Sequence, residues 1–265
     1  MAKRRNTYIL RGGEIIDVEI FHDGNYGGPG KNRVKRAKPT KEQMAAVNAM
    51  QKMKKCRLRL LQYFNFGDLF VTWTYEPKKR PADMQEALRH FQNAMKSVRR
   101  KYEKRGRELF WIRNIERGTK GAWHIHLVIN EIGDTADIVR KAWKYGGTFV
   151  AEIKLMDKFY DEDFTKLASY MTKDENTREE KISGEPGKPR LKDANYNTSR
   201  NMPLPKPKVD KLVRWEKKPR VKAGYYIAKL HEGINPATGF QYRRYTMIKI
   251  RREQSGRIAT GRHLC

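Results

Sequence analysis

The sequence predicts an α+β fold in which helices pack on one face of a central antiparallel sheet. Three observations carry this. Between residues 69 and 172 the signals run strand, helix, strand, strand, helix, strand, helix; the two adjacent strands are joined by a short turn; and no internal repeat is present. The 265 residues suffice for one substantial domain with extensions. The composition divides the chain into a basic arm and leading helix (1–62), a core domain (63–202) and a basic C-terminal extension (203–265).

The first helix starts at Thr40, which stands three residues before Gln43 in the spacing of a capping box, each side chain satisfying a free backbone N–H of the first turn. Met44, Val47, Met50, Leu58 and Leu61 give it an apolar stripe. Leu69 to Tyr75 is rich in β-branched and aromatic residues, reads as a buried strand, and stops at Pro77. Asp83 with Glu86 opens a second helix, carried to about residue 104 by Met84, Leu88, Phe91, Met95, Val98 and Tyr102 at steps of three and four. Strands Phe110 to Glu116 and Trp123 to Asn130 flank the turn-forming run Arg117-Gly118-Thr119-Lys120-Gly121 and form a hairpin.

Asp134 and Asp137 can cap a short helix reaching Trp143, Gly146-Gly147 breaks it, and Thr148 to Ile153 is another strand. A further helix from Asp161 carries Phe164, Leu167 and Met171 on its apolar side, after which the chain is polar and loop-like through Ser183 to Pro189. Beyond Pro203 to Pro207, the runs Gly224 to Leu230 and Phe240 to Ile250 flank Asn235-Pro236-Ala237-Thr238-Gly239 as a terminal hairpin.

Lys and Arg number 58 against 30 Asp and Glu, a net charge of +28, and such an excess points to a polyanion partner. No apolar run approaches the roughly 18–20 residues that span a bilayer, and no secretory leader is apparent, so a cytoplasmic protein with no membrane association is expected. Cys56 and Cys265 form neither a CxxC pair nor a disulfide framework. Aromatic residues are interleaved with basic ones, as in Tyr242-Arg243-Arg244-Tyr245, which suits stacking on bases beside phosphate contacts. The Gly-rich run 24–30 leads into Lys31, Arg33, Lys35 and Arg36, a basic arm and a candidate DNA contact.

The chemistry concentrates between Glu116 and Leu127. Residues two apart on a strand share a face, so His124 and His126 project together while Trp123, Ile125, Leu127 and Ile129 point the other way. A hairpin closed by three or five residues sets Glu116 opposite His124, which adds a carboxylate to two imidazoles. Such a set is compatible with Mg²⁺ or Mn²⁺ when a phosphate completes the shell. By itself a His-x-His pair is more often two hydrogen-bonded surface histidines. On the last core helix, Lys166, Tyr170 and Lys173 fall on one flank by helical spacing, away from the apolar stripe. Flanking ammonium groups favour a phenolate and can bind a phosphate. In a chain with 13 tyrosines, one amphipathic tyrosine means little without that context.

In this order, Thr72-Trp73-Thr74-Tyr75, Glu116 through His126, and Tyr170-Met171-Thr172-Lys173 resemble the three motifs of the HUH endonuclease superfamily, specifically rolling-circle replication initiators of plasmids and single-stranded DNA phages. The resemblance covers roughly residues 65–202 and includes Asn197-Thr198-Ser199-Arg200-Asn201, where Arg200 is a candidate DNA contact with Lys166. It implies a five-stranded antiparallel, RRM-like palm with the histidines on a central strand. It also implies a metal site of His124, His126 and Glu116, and catalysis by Tyr170 with Lys173. The implied reaction nicks single-stranded or hairpin origin DNA, leaving a 5′-phosphotyrosine and a 3′-OH for a host polymerase.

Position 174 is Asp, so the second tyrosine that some relatives carry one turn later is missing, and only two histidines cluster where relaxases usually present three. Neither Gly30-Lys31 nor Gly187-Lys188 has the form of a phosphate-binding loop, so unwinding falls to a host helicase. The alternatives are a non-enzymatic basic nucleic-acid-binding protein, or a relaxase or transposase of the same superfamily.

Overall fold

The computed structural model describes residues 3–22, 40–154, 161–174, 178–180, 186–189, 191–212, 214–234 and 240–250. The predicted arm with Lys31, Arg33, Lys35 and Arg36, and the turn 235–239, lie outside the described residues. In chain order the helices and strands are β1 (Lys3–Leu10), β2 (Ile15–His22), α1 (Lys41–Tyr63), β3 (Leu69–Thr74), α2 (Met84–Glu103), β4 (Trp111–Gly118), β5 (Trp123–Ile129), α3 (Thr135–Ala142), β6 (Thr148–Glu152) and α4 (Thr165–Thr172). They continue with β7 (Arg178–Glu180), β8 (Pro186–Pro189), β9 (Leu191–Thr198), β10 (Lys208–Leu212), β11 (Tyr225–Ile234) and β12 (Gln241–Lys249). The protein is α+β and divides into two compact units, residues 37–205 and residues 1–36 with 206–265.

The unit 37–205 is built on an antiparallel sheet in the order β6-β3-β5-β4-β9, with the His-x-His strand β5 at its centre. Alternation decides the two faces. Trp123, Ile125, Leu127 and Ile129 join Val71 and Trp73 in a core against Phe91, Met95 and Val98 of α2 and Ile138 and Val139 of α3. Each such fully buried side chain contributes about 1.5–3 kcal/mol. Within this core the Trp73 and Trp143 rings stack with centroids 4.8 Å apart. Close packing extends to the backbone at Gly146, where a Cβ would meet the Thr74 carbonyl oxygen at 2.3 Å.

The expectation that helices cover one face is corrected. Tyr170 of α4 reaches His126, and Asn114 of β4 holds the chain just after α4, so α4 lies against the face opposite α2 and α3. Helix α1 packs on α4. The Thr40–Gln43 capping box forms in both directions, at 3.2 and 3.0 Å. The predicted apolar stripe of α1 is buried only at its C-terminal end: Cys56, Leu58, Leu60 and Leu61 are buried, whereas Met44, Val47 and Met50 are exposed. At 23 residues α1 is about 34 Å long, more than the domain beneath it can cover.

Asp83 caps α2 as expected, accepting from the Glu86 amide at 2.8 Å. Asp134 and Asp137 do not cap α3. The Glu131 carboxylate does so from outside, accepting from the amides of Ile132, Gly133 and Thr135, while Asp134 pairs with Arg105. The stretch expected to be loop-like contains β7 and β8, and β9, which follows it, is the fifth strand of the sheet. Its sequence, LKDANYNT, lacks apolar alternation because it is an edge strand held by backbone pairing to β4, from Ile112–Thr198 to Gly118–Leu191.

The second unit joins the two ends of the chain in another antiparallel five-stranded sheet, β10-β1-β2-β12-β11. Residues 3–22, expected within an arm, are instead a hairpin, and the predicted C-terminal hairpin of β11 and β12 pairs with it through β2 and β12. The alternating Ile16, Val18 and Ile20 carry the signal, packing with Tyr245 and Met247. Buried Asp17 accepts from the Thr246 hydroxyl at 2.7 Å. No helix among the described residues is long and apolar enough to cross a membrane.

Candidate active site

The β4–β5 hairpin closes through Gly118–Ala122, with Gly118 and Ala122 hydrogen-bonded at 2.9 Å and Gly121 in the left-handed region at φ +78°. That register sets Glu116 opposite His124 and Asn114 opposite His126. On the other side β3 sets Thr72 opposite His126. His126 is therefore gripped from both neighbouring strands. Its Nδ1 lies 3.1 Å from the Thr72 hydroxyl and its Nε2 lies 3.0 Å from Glu116 Oε1. A hydroxyl both donates and accepts, so Thr72 can serve either imidazole tautomer.

Helix α4 brings the tyrosine. Its start is fixed by Phe164, a buried residue in the left-handed region at φ +54°, and by Asp163, which accepts from the Thr165 amide and hydroxyl at 3.2 and 2.6 Å. Buried Arg57 of α1 pairs with Asp163 at 3.5 Å. One face of α4 buries Leu167, Ala168 and Met171, leaving the Tyr170 side chain on the other flank and the residue 40% exposed. Tyr170 Oη lies 3.1 Å from His126 Nε2, and the two rings meet edge to face at 5.0 Å. Phe70 stacks on His126 and meets Tyr170 edge-on, both at 5.7 Å, and so holds the two rings together.

Lys173 arrives differently from the helical-flank expectation. The helix ends at Thr172, and Lys173 has extended ψ of 143°, with its carbonyl held by Asn114 Nδ2 at 2.9 Å. From there its ammonium sits 2.7 Å from Glu116 Oε2 and 4.1 Å from the centre of the Tyr170 ring. Burial opposes ionisation of Glu116, but the hydrogen bonds and charges of His126 and Lys173 outweigh it and hold the carboxyl below its usual range. Burial and then the nearby His126 lower the pKa of His124, which favours the neutral imidazole that can bind a cation.

Glu116, His126, Tyr170 and Lys173 thus converge, and the His124 ring lies parallel to His126 with centroids 6.2 Å apart. Lys166 is exposed on α4, one turn before Tyr170. Arg200 is not part of this cluster: it lines a cleft with Trp111 and Arg113, which project from β4 to the face opposite Glu116. Thr72, Asn114 and Phe70 are site residues that sequence reasoning missed. Their even numbering on β3 and β4 placed them on one face of each strand, but only the strand register shows which face that is.

The donor chemistry suits a divalent cation in kind, two imidazoles and a carboxylate. Glu116 Oε1 and His126 Nε2 stand 3.0 Å apart, close to the edge of an octahedral shell with bonds of about 2.1 Å. Thr72 on Nδ1 supplies the outer partner that orients a ligating imidazole. The three groups are not gathered as a set, and among the described residues no three His, Cys, Asp or Glu side chains converge in that way. A cation would replace the Glu116–His126 hydrogen bond.

Residues 68–175 match the family described as Replication-associated protein ORF2. The matched span contains Thr72, Glu116, His124, His126, Tyr170 and Lys173, and the match supports a replication-initiator type of protein. No curated protein and no solved structure matches the chain.

Proposed function

We propose that the protein initiates rolling-circle replication as an HUH-type endonuclease, nicking and rejoining one DNA strand through Tyr170. The observation that carries this is the Tyr170 hydroxyl, 3.1 Å from His126 on a partly exposed residue, in a cluster closed by Glu116 and Lys173. The whole cluster falls within the segment similar to replication-associated proteins.

In the reaction Tyr170 Oη forms a bond to a backbone phosphorus and the bond from that phosphorus to the 3′ oxygen breaks. The phenol loses its proton and the departing oxygen gains one, which leaves a 5′-phosphotyrosine and a free 3′-OH. The Lys173 ammonium beside the ring favours the phenolate, and Glu116 and Asn114 hold Lys173 in place. Reversal by a 3′-OH rejoins the strand. His124, His126 and Glu116 would hold Mg²⁺ or Mn²⁺, which supplies polarisation of the scissile phosphate oxygens. Lys166, and Lys31, Arg33, Lys35 and Arg36 of the basic segment, offer phosphate contacts to single-stranded or hairpin origin DNA. A host helicase and polymerase complete replication.

The test is incubation with a randomised single-stranded DNA pool and Mn²⁺ or Mg²⁺, followed by denaturing electrophoresis. A covalent protein–DNA adduct that vanishes in Tyr170→Phe is expected, and sequencing the attached strands maps the site. Tight binding with no adduct under either metal would refute the nicking reaction and leave a non-enzymatic DNA-binding protein.

A further inference from the structure

We propose that the cleft between α2 and the β4–β9 edge is a second binding site for single-stranded DNA, on the face of the sheet opposite Tyr170. This rests on the reading of the protein as a DNA-processing enzyme and adds to it a path for the strand away from the nick. The cleft has a volume of about 860 Å³. Its walls are formed by the C-terminal half of α2, the segment leading into β4 and the residues after β9.

Three observations point to this ligand. First, Lys96, Arg99, Arg107 and Arg200 stand exposed around the cleft, and none has an ion-pair partner among the described residues. Only Glu103 and Glu108 add acidic side chains to the lining. Like charges gathered in excess of their counter-charges repel one another, and a polyanion relieves that repulsion. Second, the floor is aromatic and cationic. Trp111 is partly exposed there, and the Arg113 guanidinium lies 4.8 Å from the centre of the Phe91 ring.

Arg113 is itself 4% exposed, and its Nε has no hydrogen-bond partner among the described residues. A flat aromatic surface beside cations is what stacks an unpaired base while the phosphates are held. Third, the size fits an unpaired strand. Clefts of roughly 300–1,000 Å³ enclose ligands the size of a few ring systems, which admits a pair of stacked nucleotides. A further hollow of about 580 Å³ adjoins it and shares Arg107 and Glu108 with the cleft.

The projection of β4 separates this surface from the nicking residues. Trp111 and Arg113 alternate with Asn114 and Glu116, so a strand lying in the cleft is on the reverse side of the sheet from the one that meets Tyr170.

The experiment measures fluorescence anisotropy of a labelled oligothymidine of about 20 nucleotides, and of a duplex of equal length, as salt is varied. The unaltered chain is compared with the triple variant Arg99→Ser, Arg107→Ser, Arg200→Ser. The three arginines are exposed, and an unchanged thermal transition verifies that the triple variant folds. Its single-strand affinity is expected to fall about tenfold or more, with the slope of log K against log salt smaller by about 2, since each single-strand phosphate contact contributes about 0.7. Duplex binding should change much less. Photocrosslinking of iodouracil-containing single strands should label the peptide containing Trp111. Unchanged single-strand affinity and slope in the triple variant, or an equal loss of duplex binding, overturns the proposal. Adduct formation is scored separately: failure of the nicking reaction leaves these binding results standing, and failure of the cleft leaves the adduct standing.

Discussion

Replacing Asp163 by alanine should destabilise the unit that carries Tyr170 by several kcal/mol without touching the tyrosine. Asp163 and Arg57 form an ion pair whose side chains are 1% and 0% exposed, linking α1 to the start of α4. Removing one member leaves the other charged and buried, at a cost of about 3–5 kcal/mol. Asp163 also accepts from the Thr165 amide and hydroxyl, and loss of such a cap costs about 1 kcal/mol more. For a unit of 150–250 residues each kcal/mol shifts the midpoint by about 2–4 °C, so the thermal transition should fall by about 10–20 °C. Near-ultraviolet circular dichroism on heating reads this. The double variant Arg57→Met, Asp163→Ala removes both charges and should recover much of the loss, because the cost lies in burying a charge that has lost its opposite number at position 163. A fall of less than about 3 °C in the single variant, or a double variant no more stable than Asp163→Ala, would refute the assignment of this pair as the anchor of α4.

Two other outcomes follow from the same geometry. Thr72→Val keeps the shape of the strand but removes the group at His126 Nδ1, so Mn²⁺ affinity measured by calorimetry should fall about 10–100-fold while the midpoint changes little; unchanged affinity would count against His126 as an oriented ligand. The Cys56 thiol is pushed up to about 12 by burial, against an ordinary value of 9.0. Because its folded pKa is raised, the stability it contributes is complete below pH 9 and is lost as pH rises towards 12. In a Cys265→Ser background, a thiol reagent at pH 8 should therefore label Cys56 only when the chain unfolds, and rapid labelling of the native protein would contradict its burial.

Much of the site is local and was legible in the sequence. The capping box at Thr40, the Asp83 cap, the stripe of α2 and the alternation of Trp123, Ile125, Leu127 and Ile129 are periodic signals spanning a few residues, and each formed as read. The same alternation put His124 and His126 on one face, and the short turn set Glu116 opposite His124. Legibility failed where partners are distant in the chain. Leu191–Thr198 has no apolar alternation of its own and becomes a strand only because β4 offers a free edge. The cap of α3 is a local exception, supplied by Glu131 from just outside the expected positions.

By itself, then, the sequence determined the helices, most strands of the central sheet, the basic character and the order in which the histidine pair and the tyrosine occur. Tertiary structure alone decided that α4 lies on the face opposite α2 and α3, that Lys173 reaches Glu116 after the helix has ended, and that Thr72, Asn114 and Phe70 fix His126, Lys173 and Tyr170. It also decided that the two ends of the chain share a sheet, through pairings such as Thr246 with Asp17. The physical reason is range. Periodicity and capping are set by neighbours within one or two turns or along one strand, whereas register between strands and the choice of sheet face are fixed by packing of segments that the sequence leaves far apart.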